Sequence, residues 1–270
     1  MHRTGWVGPA LWLFLLGLAL LAHPAHAQME DECANRDWGG SDREHACVVR
    51  EMRMPASGSL EVDGGLNGGV QVEGWDRSEV LVRARVEAWA DTRAEAEDVV
   101  NAVRIETGRS RVNATGPDGR RQGWSVSYHI FVPRRTNLSL ETHNGGIQIE
   151  NVKGQMRMEA LNGGIRLARV AGDVRGSTTN GGLHIDLDGQ RWDGAGLDVR
   201  TTNGGVRLMV PSNFAAHIET GTVNGGMDVD FPVTVQGRIG GSLSFDVNGG
   251  GPTIRAVTTN GGVKILRAGG

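Results

Sequence analysis

Aromatic residues are scarce: one Tyr, five Phe and seven Trp make up 5% of the 270 residues. A core with so few rings has to be filled by aliphatic side chains. Cysteine is rarer still, with only Cys33 and Cys47 present, which excludes a multi-disulfide scaffold and a cysteine-rich zinc module. Neither sign of charge dominates, since 28 Lys and Arg face 31 Asp and Glu for a formal net charge of −3. That balance offers no electrostatic case for nucleic acid or for an anionic membrane surface. Beyond Ala22 no run is apolar enough to cross a bilayer, so no transmembrane segment is expected in the mature chain. What the chain has in excess is glycine, 42 residues. It lacks the every-third spacing of collagen, and an apolar content of 39% is too high for a disordered chain.

The N-terminus carries an address. Arg3 precedes an apolar run from Ala10 to Ala22, and Ala25-His26-Ala27 is a small-x-small cleavage site. Residues 1–27 read as a secretory signal peptide, too short for a comfortable membrane span. No Cys stands directly after Ala27, so the lipid-anchor signal is missing. The mature chain is therefore expected to start at Gln28 and to be periplasmic or secreted. In that oxidising setting Cys33 and Cys47 read as a disulfide rather than a metal or redox pair, because their spacing is wide and no His or Cys clusters near them. Closing a loop of this size stabilises by about 3 kcal/mol in the chain-entropy model. Residues 28–56 form an N-terminal segment around this disulfide.

A repeat dominates the remainder. Asn-Gly-Gly occurs eight times, at Asn67, Asn144, Asn162, Asn180, Asn203, Asn224, Asn248 and Asn260, and from Asn144 the steps are 18, 18, 23, 21, 24 and 12 residues. A period near 20 is the signature of a solenoid. After most copies an apolar residue alternates with a variable one, as in Ile147-Gln148-Ile149, Ile165-Arg166-Leu167, Leu183-His184-Ile185 and Val206-Arg207-Leu208. Before them lie Leu138 and Leu140, Met156 and Met158, Leu197 and Val199, with Thr142, Thr178, Thr201, Thr222 and Thr258 two places ahead of their Asn. Period two means strands with one buried face. Each unit is a strand, an Asn-Gly-Gly corner, a second strand, and a further bend often marked by Gly154, Gly172 or Gly189. Asn and Gly tolerate the positive φ that a tight corner can require.

Asn-Gly between alternating segments is also a hairpin signal, which would give antiparallel meanders. A meander, however, has no need to repeat the same residue types at the same register. A solenoid does, because equivalent residues stack on neighbouring coils and Asn amides and Thr hydroxyls can bond along the axis. The fold class expected is therefore all-β, a parallel β-solenoid over residues 57–270. The stretch 79–132 interrupts it. Val80, Val82, Ala84, Val86 and Ala88 alternate along one strand, Thr92 and Glu95 fit a capping box, and Ala96, Val99, Val100 and Val103 form one helical stripe. Trp124, Val126, Tyr128, Ile130 and Val132 then share one face of a strand ended by Pro133. This strand-helix-strand insertion would cap the N-terminal end of the solenoid, whose core an open coil would expose.

An early N-G-G-V-x-V, an Ala/Glu-rich helix, the Val132-Pro133 strand end and a ladder of T-x-N-G-G coils together resemble the bacterial putative-adhesin domain family. The resemblance spans about residues 57 to 270. It implies a right-handed β-solenoid of the cell envelope and no agreed catalytic set, since the shared residues belong to corners and core.

Chemistry is hard to find. Some β-solenoids cleave polysaccharides with acids on an outer face, and the sixth position after each Asn gives Glu150, Ala168, Asp186, Met209 and Asp230. Counted two coils apart, Asp186 and Asp230 would sit about 10 Å from each other, near the upper end of an inverting glycosidase pair. The fourth position gives Gln148, Arg166, His184, Arg207 and Asp228, so cations interleave with acids as on an ordinary solvated sheet. Calcium by the β-roll mechanism needs a recurring Asp after Gly-Gly, and an apolar residue stands there instead. His45, His129, His143, His184 and His217 show no i, i+4 metal-ligand pairing. There is no G-x-S-x-G elbow, and Gly249-Gly250-Gly251 lacks the Lys-Ser/Thr of a phosphate loop. No catalytic, cofactor or metal residue is assigned.

The reading is a non-catalytic secreted envelope module, an adhesin or scaffold for an envelope protein or a polysaccharide. The alternatives are a polysaccharide-active enzyme using Asp186 and Asp230 and an envelope-stress sensor acting through a membrane partner. The last step is the shortest, which predicts Val263 and Ile265 at an unpaired edge and self-association there by strand addition.

Overall fold

The computed structural model describes Cys33, residues 42–230 and residues 241–268. The leader and its cleavage site lie outside the described residues. Cys33 and Cys47 are bonded, with their Cα atoms 5.7 Å apart. Cys47 lies in β1 (Glu44–Pro55), which runs antiparallel to β4 (Glu79–Ala90).

The chain coils between two ten-stranded sheets, called I and II here. Sheet II takes β2 (Ser59–Asp63), and the chain then turns through Asn67-Gly68-Gly69 into β3 (Val70–Trp75) of sheet I. After the excursion described below, the same path repeats. β8 (Asn137–Thr142) leads to β9 (Ile147–Glu150), β10 (Lys153–Asn162) to β11 (Ile165–Ala168), β12 (Ala171–Asn180) to β13 (Leu183–Asp186), and β14 (Gly196–Asn203) to β15 (Val206–Pro211). Neighbouring coils pair parallel and in full register, so Leu138, Met156, Val174 and Leu197 stack in sheet II while Ile147, Ile165, Leu183 and Val206 stack in sheet I. All eight are buried. The period-two pattern thus becomes an aliphatic core between two sheets, as the few aromatics demand.

The corners are held by two sets of bonds. Asn amides form a ladder in which each Nδ2 donates to the Oδ1 of the next rung: Asn144 to Asn67 at 3.1 Å, Asn162 to Asn144, Asn180 to Asn162 and Asn203 to Asn180 at 2.8 Å. The Thr hydroxyls do not bond to one another. Thr178 and Thr201 donate to Gly163 O and Gly181 O of the preceding corner, at 2.6 and 2.7 Å. Apart from Gly261, whose φ is 154°, glycine serves these ladder corners for a reason other than φ. The ladder Asn residues have ordinary backbone angles, and the non-Gly residues with positive φ include Asn151 and Arg169, at the other bend. A Cβ on Gly145, Gly163 or Gly204 would lie 2.1 Å from the carbonyl oxygen of Gly68, Gly145 or Gly181. Stacked corners approach so closely that only glycine fits.

Between the first two coils the chain builds an N-terminal end. α1 (Arg93–Ala102) follows β4 with Thr92 as N-cap. Glu95 N donates to Thr92 Oγ1 at 3.3 Å and Thr92 N to the Glu95 carboxylate at 3.0 Å. Ala96, Val99, Val100 and Val103 are buried, and Arg50 of β1 donates to the Val100 and Val103 carbonyls at the helix end. The sequence pattern leads directly from helix to strand. The structure instead adds a hairpin, β5 (Arg104–Gly108) and β6 (Arg111–Thr115), that extends sheet II beside β2 before β7 (Gly123–Pro133) joins sheet I between β4 and β3. These two strands are short and largely polar, so they carry little hydrophobic periodicity.

The C-terminal end overturns an expectation. After β15 come β16 (Ala216–Asn224) and β17 (Met227–Val229), then β18 (Ser242–Val247), β19 (Thr253–Asn260) and β20 (Val263–Ala268). The last coil does not stack last. β19 lies between β14 and β16, and β20 between β15 and β17. Val263 and Ile265 are therefore paired on both sides and buried, and the predicted C-terminal edge does not exist there. Charge favours this order. In chain order Asp198 would stand directly opposite Glu219, whereas Arg255 of β19 comes between them, 3.1 Å from Asp198 and 3.5 Å from Glu219. The Asn ladder follows space rather than sequence, running from Asn203 to Asn260 at 2.8 Å and on to Asn224 at 2.7 Å. Asn248 stands outside it. Its φ is 47° and its amide donates to Ser212 O and Phe214 O, so this copy of Asn-Gly-Gly pins the loop that crosses the start of β16.

Two outcomes follow from these contacts. Asn203 bonds on both sides, so Asn203→Ala should cost about 2 kcal/mol in urea unfolding and Asn67→Ala, at the ladder's end, about half that; equal losses would show that the ladder adds nothing. Tyr128, the only tyrosine, is 3% exposed, and burial, then the Asp63 carboxylate, raise its pKa above the ordinary 10.0. The folded state keeps the phenol neutral while the unfolded chain would ionise, so stability should fall as pH rises above 10.0. Phenolate absorbance should appear only together with unfolding.

Candidate functional site

The outer face of sheet I carries the acids singled out in the sequence. Asp186 aligns with Met209, and Met209 with Leu266 of the inserted β20. Asp230 comes next, its N–H donating to Ile265 O at 2.9 Å. The insertion thus sets three strand spacings, about 14 Å, between Asp186 and Asp230. That exceeds the range of an inverting pair, so the polysaccharide-cleaving geometry is not assembled. Asp186 is instead engaged by Arg166 and His184, each at 3.2 Å, and Asp228 aligns with Lys264.

A groove of about 630 Å³ crosses the same sheet over β4, β7, β3, β9, β11 and β13. Its basic and imidazole side chains lie beside acids: Arg83 with Glu51 at 3.3 Å, Arg85 with Glu87 at 2.8 Å, and His129 with Glu73 at 3.6 Å. Glu150, beside Ala168, is bonded by Arg169. Opposite charges thus alternate across this sheet face, as cross-strand pairing favours.

Sheet II holds one arrangement the sequence reading missed. His217 of β16 contacts Asp246 through Nδ1 at 2.7 Å and Ser244 Oγ through Nε2 at 3.0 Å, both partners lying on β18. Carboxylate, imidazole and hydroxyl stand in the order of a nucleophilic relay. The setting differs from one that reacts. His217 is 33% and Asp246 62% exposed at the side chain, so water screens the carboxylate that should hold and polarise the ring. The only local signals were the alternations His217-Ile218-Glu219 and Ser244-Phe245-Asp246; the antiparallel pairing that unites them is tertiary. Of the other histidines, His143 precedes a ladder Asn, and His45 lies on β1. Among the described residues no group of three or more His, Cys, Asp or Glu side chains could hold a metal ion, and no helix is long and apolar enough to cross a membrane.

The Toastrack DUF4097 family model matches residues 94–266, more than half of the 270 residues. The chain belongs to the Toastrack family. That membership is in accord with the resemblance to putative-adhesin domains. No curated protein matches this Toastrack chain. Among solved structures it is similar to a putative cell adhesion protein from Clostridium sporogenes, at 9% identity and a TM-score of 0.42 over 81% of this chain and 99% of that one. It is similar also to a putative adhesin from Bacteroides fragilis, at 9% and 0.38 over 82% and 97%, and to a putative lipid binding protein from Parabacteroides distasonis, at 10% and 0.36 over 82% and 96%. At these TM-scores the likenesses carry no argument about ligands.

Ser244 should behave as an ordinary surface hydroxyl of this Toastrack domain. A fluorophosphonate probe is expected to leave it unlabelled at neutral pH; labelling that Ser244→Ala removes would establish a nucleophile there.

Proposed function

We propose that this Toastrack chain is a non-catalytic binding or scaffold module of the cell envelope, exported by the leader 1–27 and presented in the periplasm or outside the cell. The observation that carries the reading is the geometry of the outer faces. Parallel, in-register coils hold outward side chains in rows about 4.8 Å apart on two extended sheets, a rigid array suited to contact with a large partner. The Cys33–Cys47 disulfide fits an oxidising compartment. The partner is an envelope protein or a polysaccharide.

The test immobilises the mature protein from Gln28 and passes over it purified envelope polysaccharide and detergent-solubilised envelope protein. Saturable retention of one fraction, with no new reducing ends released from the polysaccharide, is the expected result. Retention of neither fraction defeats the reading. Release of reducing ends that Asp230→Asn abolishes would favour the enzyme instead.

A further inference from the structure

The corner from Asp63 to Asn67 separates two depressions. On one side, the register of sheet II aligns Asp63 with Glu141 and Glu141 with Glu159. Three carboxylates thus stand on adjacent strands about 4.8 Å apart, where like charges opposite one another cost stability. Among the described residues none of the three takes part in an ion pair. Asp63 Oδ1 accepts from Gly65 N at 2.8 Å, and the next cation in the row, Arg200, lies two strands beyond Glu159 and is held by Asp198 at 3.3 Å. Beside this row stand Leu66, 69% exposed, and Leu161, 37% exposed. Each immediately precedes a ladder Asn, and His143 holds the same place on the coil between them. Together these side chains line a groove of about 550 Å³.

On the other side of Leu66 is a cleft of about 340 Å³ whose walls include Trp89, Trp124, Asp63, Asp118 and Gln122. Both indoles are positioned by their surroundings. Trp124 Nε1 donates to Pro117 O at 3.1 Å, and a Cβ on Gly123 would meet the Trp89 ring at 2.4 Å. Neither depression has a Lys or Arg in its lining, in a chain with 28 of them.

Acids outside any ion pair, two indoles and two exposed leucines select one kind of occupant. A guanidinium or ammonium gains both a carboxylate and an indole face, and leucines shelter the apolar side chains between such groups. A sugar would use the indoles but leave the carboxylate row uncompensated, and an anionic lipid surface would be repelled by it. The three carboxylates span about 10 Å, which two alternate cations of an extended peptide, about 7 Å apart, can cover. The geometry points to the two depressions flanking Leu66 as one docking surface for an extended, basic and partly apolar peptide segment of a partner protein. This rests on the binding-module reading and names the chemistry of its partner.

The probe is a fluorescein-labelled nonapeptide with Arg at alternate positions and Leu and Ser between, compared with its Glu counterpart by anisotropy against the mature protein. The Arg peptide should bind saturably and more weakly as salt rises, and the Glu peptide should not bind. The double variant Glu141→Lys, Glu159→Lys should weaken binding by about tenfold or more and Leu66→Ser by several-fold, while Arg207→Glu on the opposite sheet leaves it unchanged. All variants must keep the wild-type circular dichroism. Equal binding of both peptides, or binding indifferent to the Glu141 and Glu159 reversals, overturns the proposal. If the Arg peptide fails while an envelope fraction is still retained, the docking surface falls and the binding-module reading stands. If peptide binding depends on Glu141 and Glu159 while no fraction is retained, the surface stands and the envelope assignment falls.

Discussion

The structure depends on how closely its corners can stack. Backbone hydrogen bonds between parallel strands hold neighbouring coils about 4.8 Å apart, and the turn that joins the two sheets has to fit within that same distance. Glycine at the first position after each ladder Asn lets one corner carbonyl lie where the next residue's Cβ would be. The Asn amide and the Thr hydroxyl then satisfy polar groups that such packing would otherwise strand. Core, register and outward rows follow, because a coil locked at its corner has no freedom to slip by one residue.

A locked register has a consequence for chemistry. Outward residues form rows whose neighbours are set by strand order, so an added or displaced strand rewrites every row it crosses. Insertion of β19 and β20 places Arg255 between Asp198 and Glu219 and separates Asp186 from Asp230. One event settles an electrostatic conflict on sheet II and disassembles a candidate acid pair on sheet I. The faces that result are mostly self-neutralised, and the row from Asp63 to Glu159, flanked by exposed leucines and indoles, stands out against them.

Much of the architecture was legible because it is local and repeated. The capping box at Thr92 and Glu95, the buried stripe of α1, the alternation of the coils and the Asn ladder each rest on residues within a few positions of one another or at a constant period. The hairpin β5–β6 was not legible, since two short polar strands leave no periodic trace. Nor was the contact of His217 with Ser244 and Asp246, which comes from strands joined only by pairing. Asn248-Gly249-Gly250 misled because the same tripeptide that makes a stacked corner also makes a positive-φ turn, and only its surroundings distinguish the two.

The sequence by itself determined that this chain winds into coils with an aliphatic core and Asn-Gly-Gly corners, since each coil carries its own buried face and its own turn. It did not determine the order in which those coils stack. Every coil presents nearly the same edge to its neighbours, so backbone pairing alone accepts β16 or β19 beside β14 with almost equal ease. The choice falls to contacts between residues far apart in the chain, among them Arg255 between two carboxylates and the Asn248 amide holding the crossing loop. Order among equivalent repeats is a property of the assembled tertiary structure, because the energies that separate the alternatives exist only once the coils are side by side.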